Sequence, residues 1–491
     1  MALEESAKAS VAFPTHRPAM LLGPDELVRA AVLGLRGKEN APKPFCLVGG
    51  PSLADASREL GLPLVDSLLQ ASRLLGEASE AAFVAAVGAV RPRARALSLL
   101  EQASQLGWRI HHLDCAGEDP RWRPWDLADV LGDRSDVRAE PDVRRLISGR
   151  RILVTGAGGS IGSALCREIA AMGPAWIGLL DHSEYNLFRI DYDLKVEAPG
   201  VARSVRLCDV RDNESLRRWF DMDQPDLVFH AAALKHVPLV EAHPSEGVIT
   251  NVAGTRNVAR AARAVGADLV FVSTDKAVNP ANVMGATKRL GELFCQALDR
   301  GSAPRVVTVR LGNVLGSAGS VSPLFASQIA AGGPVTVTHR GVMRYFITIP
   351  QTAAFLLRAA ALGFGREDLR GVVNVLEMGE PMAVVDLART MIRLAGRRPD
   401  VDIPITFVGL RPGEKLSEQL VADEEWVAGA MSPDVTAVAS PARDLATLES
   451  DIDRLVALAR SGRDDLVRAQ LSAALAAPLP ERAPLRSAVA V

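Results

Sequence analysis

Three consecutive polar residues, Thr274, Asp275 and Lys276, close an apolar run of strand length, Leu269–Ser273. A carboxyl group beside an amine offers an acid and a base, provided the environment drives their pKa values apart. The plain alternative is an Asp–Lys ion pair at a loop mouth. Downstream, Lys288 follows Met284 by four positions, one helical turn. From there its charge can hold a ribose and lower the pKa of nearby hydroxyls, although most helix lysines are only solvated. Met284 carries a thioether, which takes no proton. The three tyrosines, Tyr185, Tyr192 and Tyr345, are followed four positions on by Arg189, Val196 and Ile349, so the chain has no Tyr-x-x-x-Lys pair. Either this region does no chemistry or another group moves the proton, and Asp275 and Lys276 suggest the second.

Upstream stands Thr155-Gly156-Ala157-Gly158-Gly159-Ser160-Ile161-Gly162, between a strand pattern and a helix pattern. Gly156 allows a tight turn, Gly159 lets backbone approach a pyrophosphate, and Gly162 lets helix and sheet pack closely. The helix N-terminus, at Ser160 and Ile161, then faces the phosphates with unpaired N–H groups. Asp181 closes the next strand 25 positions after Gly156. An acid there accepts ribose hydroxyls and repels a 2′-phosphate, so the expected cofactor is NAD rather than NADP. Asp209, with Val210, ends the third strand and either reaches the adenine or caps the following helix. Ala231 and Ala232, at the end of the fourth strand, complete the expected cofactor set with Gly158 and Lys288.

The elements that position these residues follow from the pattern. Strands at Arg151–Thr155, Trp176–Asp181, Val205–Cys208, Leu227–Ala231, Leu269–Ser273 and Val306–Leu311 alternate with helices, including Glu246–Val265 and Met284–Asp299. This predicts a doubly wound α/β sheet covered on both faces. The fold expected is a small N-terminal Rossmann-like module, a doubly wound NAD-binding Rossmann domain, and a smaller C-terminal α/β substrate lobe. The boundaries read as a mobile arm at 1–18, the module at 19–140, the NAD domain at 141–315, the lobe at 316–445, and closing helices with a tail at 446–491. In the module, Phe45–Gly50, Ala82–Val87 and Arg109–Leu113 read as strands, and Trp122, Pro124 and Trp125 as a linker. Gly49-Gly50-Pro51-Ser52 is not a G-x-G-x-x-G, and Pro51 removes a donor, so no dinucleotide is expected there.

A net charge of −2 over 491 residues gives no reason to expect a nucleic-acid partner. The cluster Arg91, Arg93 and Arg95 reads as a solvated helix start. Five cysteines without paired spacing fit a reducing compartment. His111, His112, Asp114 and Cys115 lie on a strand and point to alternate faces, so no metal is expected. Neither a signal peptide nor a run of about 20 apolar residues is present. The expected location is the cytoplasm, and the base rate favours a homo-oligomer.

Residues Asp142 to about Leu420 resemble the nucleotide-sugar 4,6-dehydratases of bacterial surface-polysaccharide synthesis, within the extended short-chain dehydrogenase/reductase superfamily. Six segments carry the resemblance: Thr155–Ser163, His230–Pro238, Ser273–Lys288, Arg310–Ser317, Met343–Phe346 and Leu410–Leu416. Members with tyrosine at position 284 invert C5 of the sugar. Those with methionine resemble configuration-retaining UDP-N-acetylglucosamine 4,6-dehydratases, and this chain matches that branch. Many members of the branch carry membrane helices before the small module; none precedes it in this sequence, and membrane attachment is not expected. Ser417 stands where the family usually has tyrosine.

The resemblance implies loss of water without net redox, through transient oxidation at C4. Asp275 would be the acid for the C6 hydroxyl and Lys276 the base at C5. A lysine serves as a base at neutral pH only if burial or positive charge lowers its pKa, and Lys288 is the expected source of that charge. The C4 hydroxyl proton goes to Asp275 directly or through Thr274. Lys235, Asn313, Arg344 and Arg411 are the candidates for the nucleotide-sugar diphosphate, His236 is a further substrate-binding candidate, and Glu414 positions an arginine or a sugar hydroxyl. Singly, each arginine could equally be a surface ion pair. The competing functions are a 4-epimerase or simple nucleotide-sugar oxidoreductase, and a nucleotide-sugar sensor without catalysis.

Overall fold

The computed structural model describes residues 18–36, 43–76, 83–87, 90, 93–114, 121–131, 137–301 and 304–476. The expected arm (apart from Pro18), the tail from Pro478, Arg91 and Cys115 lie outside the described residues. Contacts divide the chain into two compact units. One takes its residues from 1–134, 324–337 and 384–408; the other takes them from 135–323, 338–383 and 409–491.

The first unit holds a six-stranded sheet of β1 (Pro18–Leu22), β2 (Lys43–Val48), β3 (Leu64–Val65), β4 (Phe83–Val87), β5 (Ile110–Asp114) and β6 (Arg121–Pro124). The order is β3-β2-β1-β4-β5-β6, parallel except for the β5/β6 pair. Ala19–Leu22, Cys46–Val48 and Val84–Val87 are buried and apolar without alternation, as central parallel strands must be. Two expectations change here. β1 runs through the centre of the sheet immediately after the expected arm. The supposed linker at Trp122 and Pro124 is an antiparallel edge strand, a place where proline costs no ladder bond. Arg93 and Arg95 open their helix half-buried rather than solvated. Helix Val384–Leu394 packs in the same unit, with Arg393 3.2 Å from Glu101.

The second unit is built on β7 (Arg151–Thr155), β8 (Trp176–Asp181), β9 (Arg203–Leu207), β10 (Leu227–His230), β11 (Asp268–Thr274) and β12 (Val306–Leu311). Its nine-stranded order runs β9-β8-β7-β10-β11-β12 and then Val373–Leu376, Val435–Ala439 and Trp426–Ser432. The first seven are parallel, and the last two form an antiparallel hairpin on the edge. This is the expected α/β Rossmann-like fold. The order reverses between β7 and β10, and in such sheets ligands bind beyond the strand carboxyl ends at that reversal. The hairpin is not visible in the sequence because Trp426–Ser432 is poor in large apolar residues and its register shifts twice. The expected helix Glu246–Val265 is interrupted: Val248–Ala253 is a π-helical turn between Pro244–Gly247 and Gly254–Ala264. Such a turn adds a residue and breaks the 3.6 periodicity. Helices Leu445–Arg460 and Asp464–Ala476 close over this unit, burying Leu448, Ile452, Leu455 and Leu471 in its core.

Candidate active site

The glycine turn after β7 is shaped by exclusion. Gly156 has φ +68°, and a Cβ on it would stand 2.8 Å from Ala232 backbone. A Cβ on Gly162 would lie 2.0 Å from the Gly156 carbonyl oxygen, and one on Gly158 would lie 2.5 Å from Asn186 Cβ. The helix Ser160–Ala170 starts without a side-chain cap, so its first N–H groups remain available to an anion. Ser160 Oγ instead accepts from the Ala318 N–H at 3.1 Å. Asp181 is buried, its carboxylate held by the N–H groups of Gly158 (3.0 Å) and Ser183 (2.9 Å). Asp209 accepts from the Arg211 backbone and Nε. Burial opposes its ionisation, but Arg211 outweighs burial and holds the carboxyl below its ordinary range. The following helix is capped by Asp212 rather than Asp209, which leaves Asp209 to the crevice.

Gly156, Gly159, Asp181, Asp209, Val210, Ala231 and Ala232 line a cavity of 360 Å³. Gly156, Ser160, Ile161, Ala231 and Lys288 line an adjoining cavity of 540 Å³. Glycine positions that a Cβ would block, a helix N-terminus and an oriented carboxylate are what a dinucleotide's pyrophosphate and ribose require.

The larger cavity is also lined by Thr274, Lys276 and Met284. Asp275 is fully buried and does not line it. Its Oδ1 accepts from Thr274 Oγ1 (3.0 Å) and Lys276 Nζ (2.9 Å), while Oδ2 has no partner among the described residues. Asp275 therefore meets the cavity only through Thr274 and Lys276, which both line it. Consecutive residues at a strand end point to opposite sides, so Thr274 faces the cavity and Asp275 faces away.

Lys276 Nζ also donates to Asn313 Oδ1 at 3.0 Å and stands 4.0 Å from Glu418. Its close charged partners are thus carboxylates, not the expected Lys288. Burial pushes Lys288 itself down to about 8, and its Nζ sits 4.2 Å from the centre of the Phe271 ring. His230 is wedged between Thr155 Oγ1 (2.7 Å) and Thr255 Oγ1 (3.1 Å); burial first, and then the Lys288 charge, hold it neutral at about 3.

Two buried networks hold these groups in place. Asn251, in the π-helical turn, bonds both backbone groups of Leu234 and donates to Thr287 Oγ1 at 3.0 Å, tying the Lys235 loop to the Met284 helix. Glu292 accepts from Ser273 Oγ (2.7 Å), from Arg310 Nε (3.0 Å) and Nη2 (2.7 Å), and from Arg289 Nη1 (3.0 Å). Glu425 receives both arginines from the other side. None of these residues announces itself in the sequence, since their partners lie far along the chain.

Of the expected substrate residues, Lys235, His236, Asn313 and Arg411 line the larger cavity. Gly319 there has φ +67°, and its Cβ would meet the His236 ring at 2.3 Å. Arg344 and Glu414 do not line it. The Arg344 guanidinium is buried and donates to the carbonyls of Met343 (2.7 Å), Leu416 (3.2 Å) and Lys415 (2.9 Å), with Glu414 3.4 Å away. It anchors the 414–416 strap. Glu414 also accepts from the Arg411 N–H (3.1 Å) and Thr338 Oγ1 (3.0 Å), so its role is to shape the turn. Sequence reasoning missed Glu418, Asn251, Phe346 and the loop Ser317–Val321. None of the three tyrosines lines the cavity. Among the described residues no group of three or more His, Cys, Asp and Glu could hold a metal ion, and no helix is long and apolar enough to cross a membrane.

Residues 152–440 match the sequence profile of the family described as polysaccharide biosynthesis protein. Over 309 residues the chain is 44% identical to the probable polysaccharide biosynthesis protein EpsC of Bacillus subtilis, covering 62% of this chain and 51% of that one. Over 304 residues it is 46% identical to the capsular polysaccharide biosynthesis protein CapD of Staphylococcus aureus, covering 61% and 50%. The chain thus spans about half the length of these curated relatives. Among solved structures, Pen from Bacillus thuringiensis superposes with a TM-score of 0.53 at 30% identity, over 61% of this chain and 92% of that one. The chain belongs to the polysaccharide biosynthesis protein family.

Proposed function

We propose that this chain is a nucleotide-sugar 4,6-dehydratase that converts UDP-N-acetylglucosamine to the UDP-4-keto-6-deoxy sugar with retention at C5, using bound NAD. The observation that carries this reading is the hydrogen-bonded set Thr274–Asp275–Lys276 at the carboxyl end of β11, with Thr274 and Lys276 lining a cavity in which Met284 stands and no tyrosine does, and Asp275 behind them. An epimerase relying on Tyr-x-x-x-Lys has no use for an Asp–Lys pair and lacks its tyrosine here.

NAD, when bound, would supply the oxidant for C4 and return the electrons at C6. Gly156, Gly159, Ser160 and Asp181 would hold it, with Asp209 toward the adenine and Lys288 toward the second ribose. The C4 hydroxyl gives its proton to Thr274 Oγ1, which passes its own to Asp275 Oδ1 along the 3.0 Å bond. Lys276 Nζ, once its own proton has gone to solvent, removes the C5 proton as the neutral amine. The C6 hydroxyl leaves as water, carrying the proton that Asp275 returns through Thr274. Lys276 then gives a proton back to C5. One amine that takes and returns the proton on the same face produces retention; inversion needs a second donor opposite, and the Met284 thioether offers none. Lys235 and Arg411, which line the cavity, would meet the diphosphate.

Proton NMR of the protein with UDP-N-acetylglucosamine in heavy water tests this. A new C6 methyl signal with deuterium at C5 in the original configuration is expected. An inverted product would refute the retention argument. Conversion to the C4 epimer would refute the dehydratase, and binding without turnover would favour the sensor.

A further inference from the structure

We infer that Glu418 is a positioning residue that holds the Lys276 ammonium in its resting orientation and charge state. Glu418 is 5% exposed, an unusual place for a carboxylate. Its Oε1 is 4.0 Å from Lys276 Nζ and its Oε2 is 3.7 Å from Lys415 Nζ. Oε2 has no hydrogen-bond partner among the described residues. A buried acid so placed is costly to fold, and it acts on Lys276 through its charge rather than through a tight bond.

The segment that carries Glu418 is stitched onto the catalytic turn. Lys415 Nζ donates to the Val278 carbonyl at 2.7 Å, Asn279 Nδ2 to Gln419 Oε1 at 2.9 Å, and Asn282 Nδ2 to the Gly413 carbonyl at 3.0 Å. Four charges therefore alternate in a row: Asp275, Lys276, Glu418 and Lys415. Of these only Lys276 lines the larger cavity, which it shares with Lys235, His236, Lys288 and Arg411. Asp275 is committed to Thr274 as well as to Lys276, whereas the ion-pair partners of Glu418 among the described residues are the two lysines. Glu418 thus bears on the Lys276 ammonium through its charge at 4.0 Å, and Lys415, at 3.7 Å, competes for that charge. The consequence for turnover rests on the dehydratase reading above; the effect on Lys276 does not.

The test compares the full chain with Glu418→Gln, Glu418→Asp and Lys415→Met. Labelling of Lys276 by an amine-selective reagent at pH 8 is followed by peptide mass spectrometry, and UDP affinity by calorimetry. Removing the charge should speed labelling about tenfold, the equivalent of one pH unit. Glu418→Asp should restore the slow rate. Lys415→Met, which leaves Glu418 to Lys276 alone, should slow labelling below wild type. UDP affinity should not change. In turnover, the acidic limb of the kcat profile should move to lower pH in Glu418→Gln. Equal labelling in wild type and Glu418→Gln would overturn the inference, as would faster labelling in all three variants with loss of UDP affinity, which marks a packing role. A wild type that makes no deoxy product would remove the dehydratase and leave the labelling comparison to decide on Glu418.

Discussion

Glu292→Gln is the perturbation that most directly weighs the buried charge network behind β11. Arg289, Arg310, Glu292 and Glu425 sum to zero charge, and the side chains of Arg310, Glu292 and Glu425 are fully buried. Glutamine has nearly the same shape, but it leaves a net buried positive charge. It also turns an amide donor toward the two guanidinium groups, which can only donate. Removing one partner of a buried pair costs about 3–5 kcal/mol. The lower end applies here, because Glu425 still binds Arg310 Nη1 at 2.9 Å and Arg289 Nη1 at 2.6 Å. Equilibrium urea unfolding, followed by circular dichroism and tryptophan fluorescence, measures the loss. Glu424→Gln is the control, since Glu424 meets Arg289 at 3.0 Å with a side chain 38% exposed, and an exposed pair contributes about 0–1 kcal/mol. A Glu292→Gln loss below about 1 kcal/mol, or one no larger than the control, would refute the claim that this network holds β11. The same network sets an acid limit. Burial pushes Glu425 up, but Arg310 and Arg289 hold it down to about 2. A depressed carboxyl stabilises fully above the unfolded value of about 4.3 and loses that stability as pH falls through its folded value, here about 3 kcal/mol in all, lost between about pH 5 and pH 1.

Other outcomes follow from single residues. Met284→Leu conserves volume and removes only the sulfur, so turnover should stay within about threefold; a hundredfold fall, the scale of a lost proton-transfer group, would put Met284 in the chemistry. Lys288, at about 8 when folded, binds fewer protons than the unfolded chain between pH 8 and 10.4, so its penalty is full below 8 and fades above. Lys288→Met should therefore be the more stable protein at pH 7, by up to about 3 kcal/mol less the lost contact with Phe271, and the advantage should vanish near pH 10.4 in thermal unfolding. Gly162→Ala places a methyl 2.0 Å from the Gly156 carbonyl. It should abolish NAD binding by calorimetry, and unchanged binding would mean the glycine turn does not hold the cofactor.

The glycine turn, Asp181 and the Thr274–Lys276 triplet are legible in the sequence because each is local. A strand end, a turn and a helix start span a few residues, and backbone geometry alone dictates what those positions tolerate. The Rossmann-like order of strands is legible for a similar reason, since apolar strands alternating with helices have few right-handed ways to pack. What sequence could not decide is which distant groups meet. Arg344 looked like a phosphate ligand, and only the path of the 414–416 strap turned its donors inward onto carbonyls. Asn251 sits in a π-helical turn that breaks the periodicity from which helices are read. Asp275 lies behind Thr274, a distinction of side-chain direction at one strand end. Glu418 reaches Lys276 across 142 positions of chain. Such pairs depend on loop closure and on the packing of the whole unit, not on any local preference, so they exist only once the tertiary structure has formed.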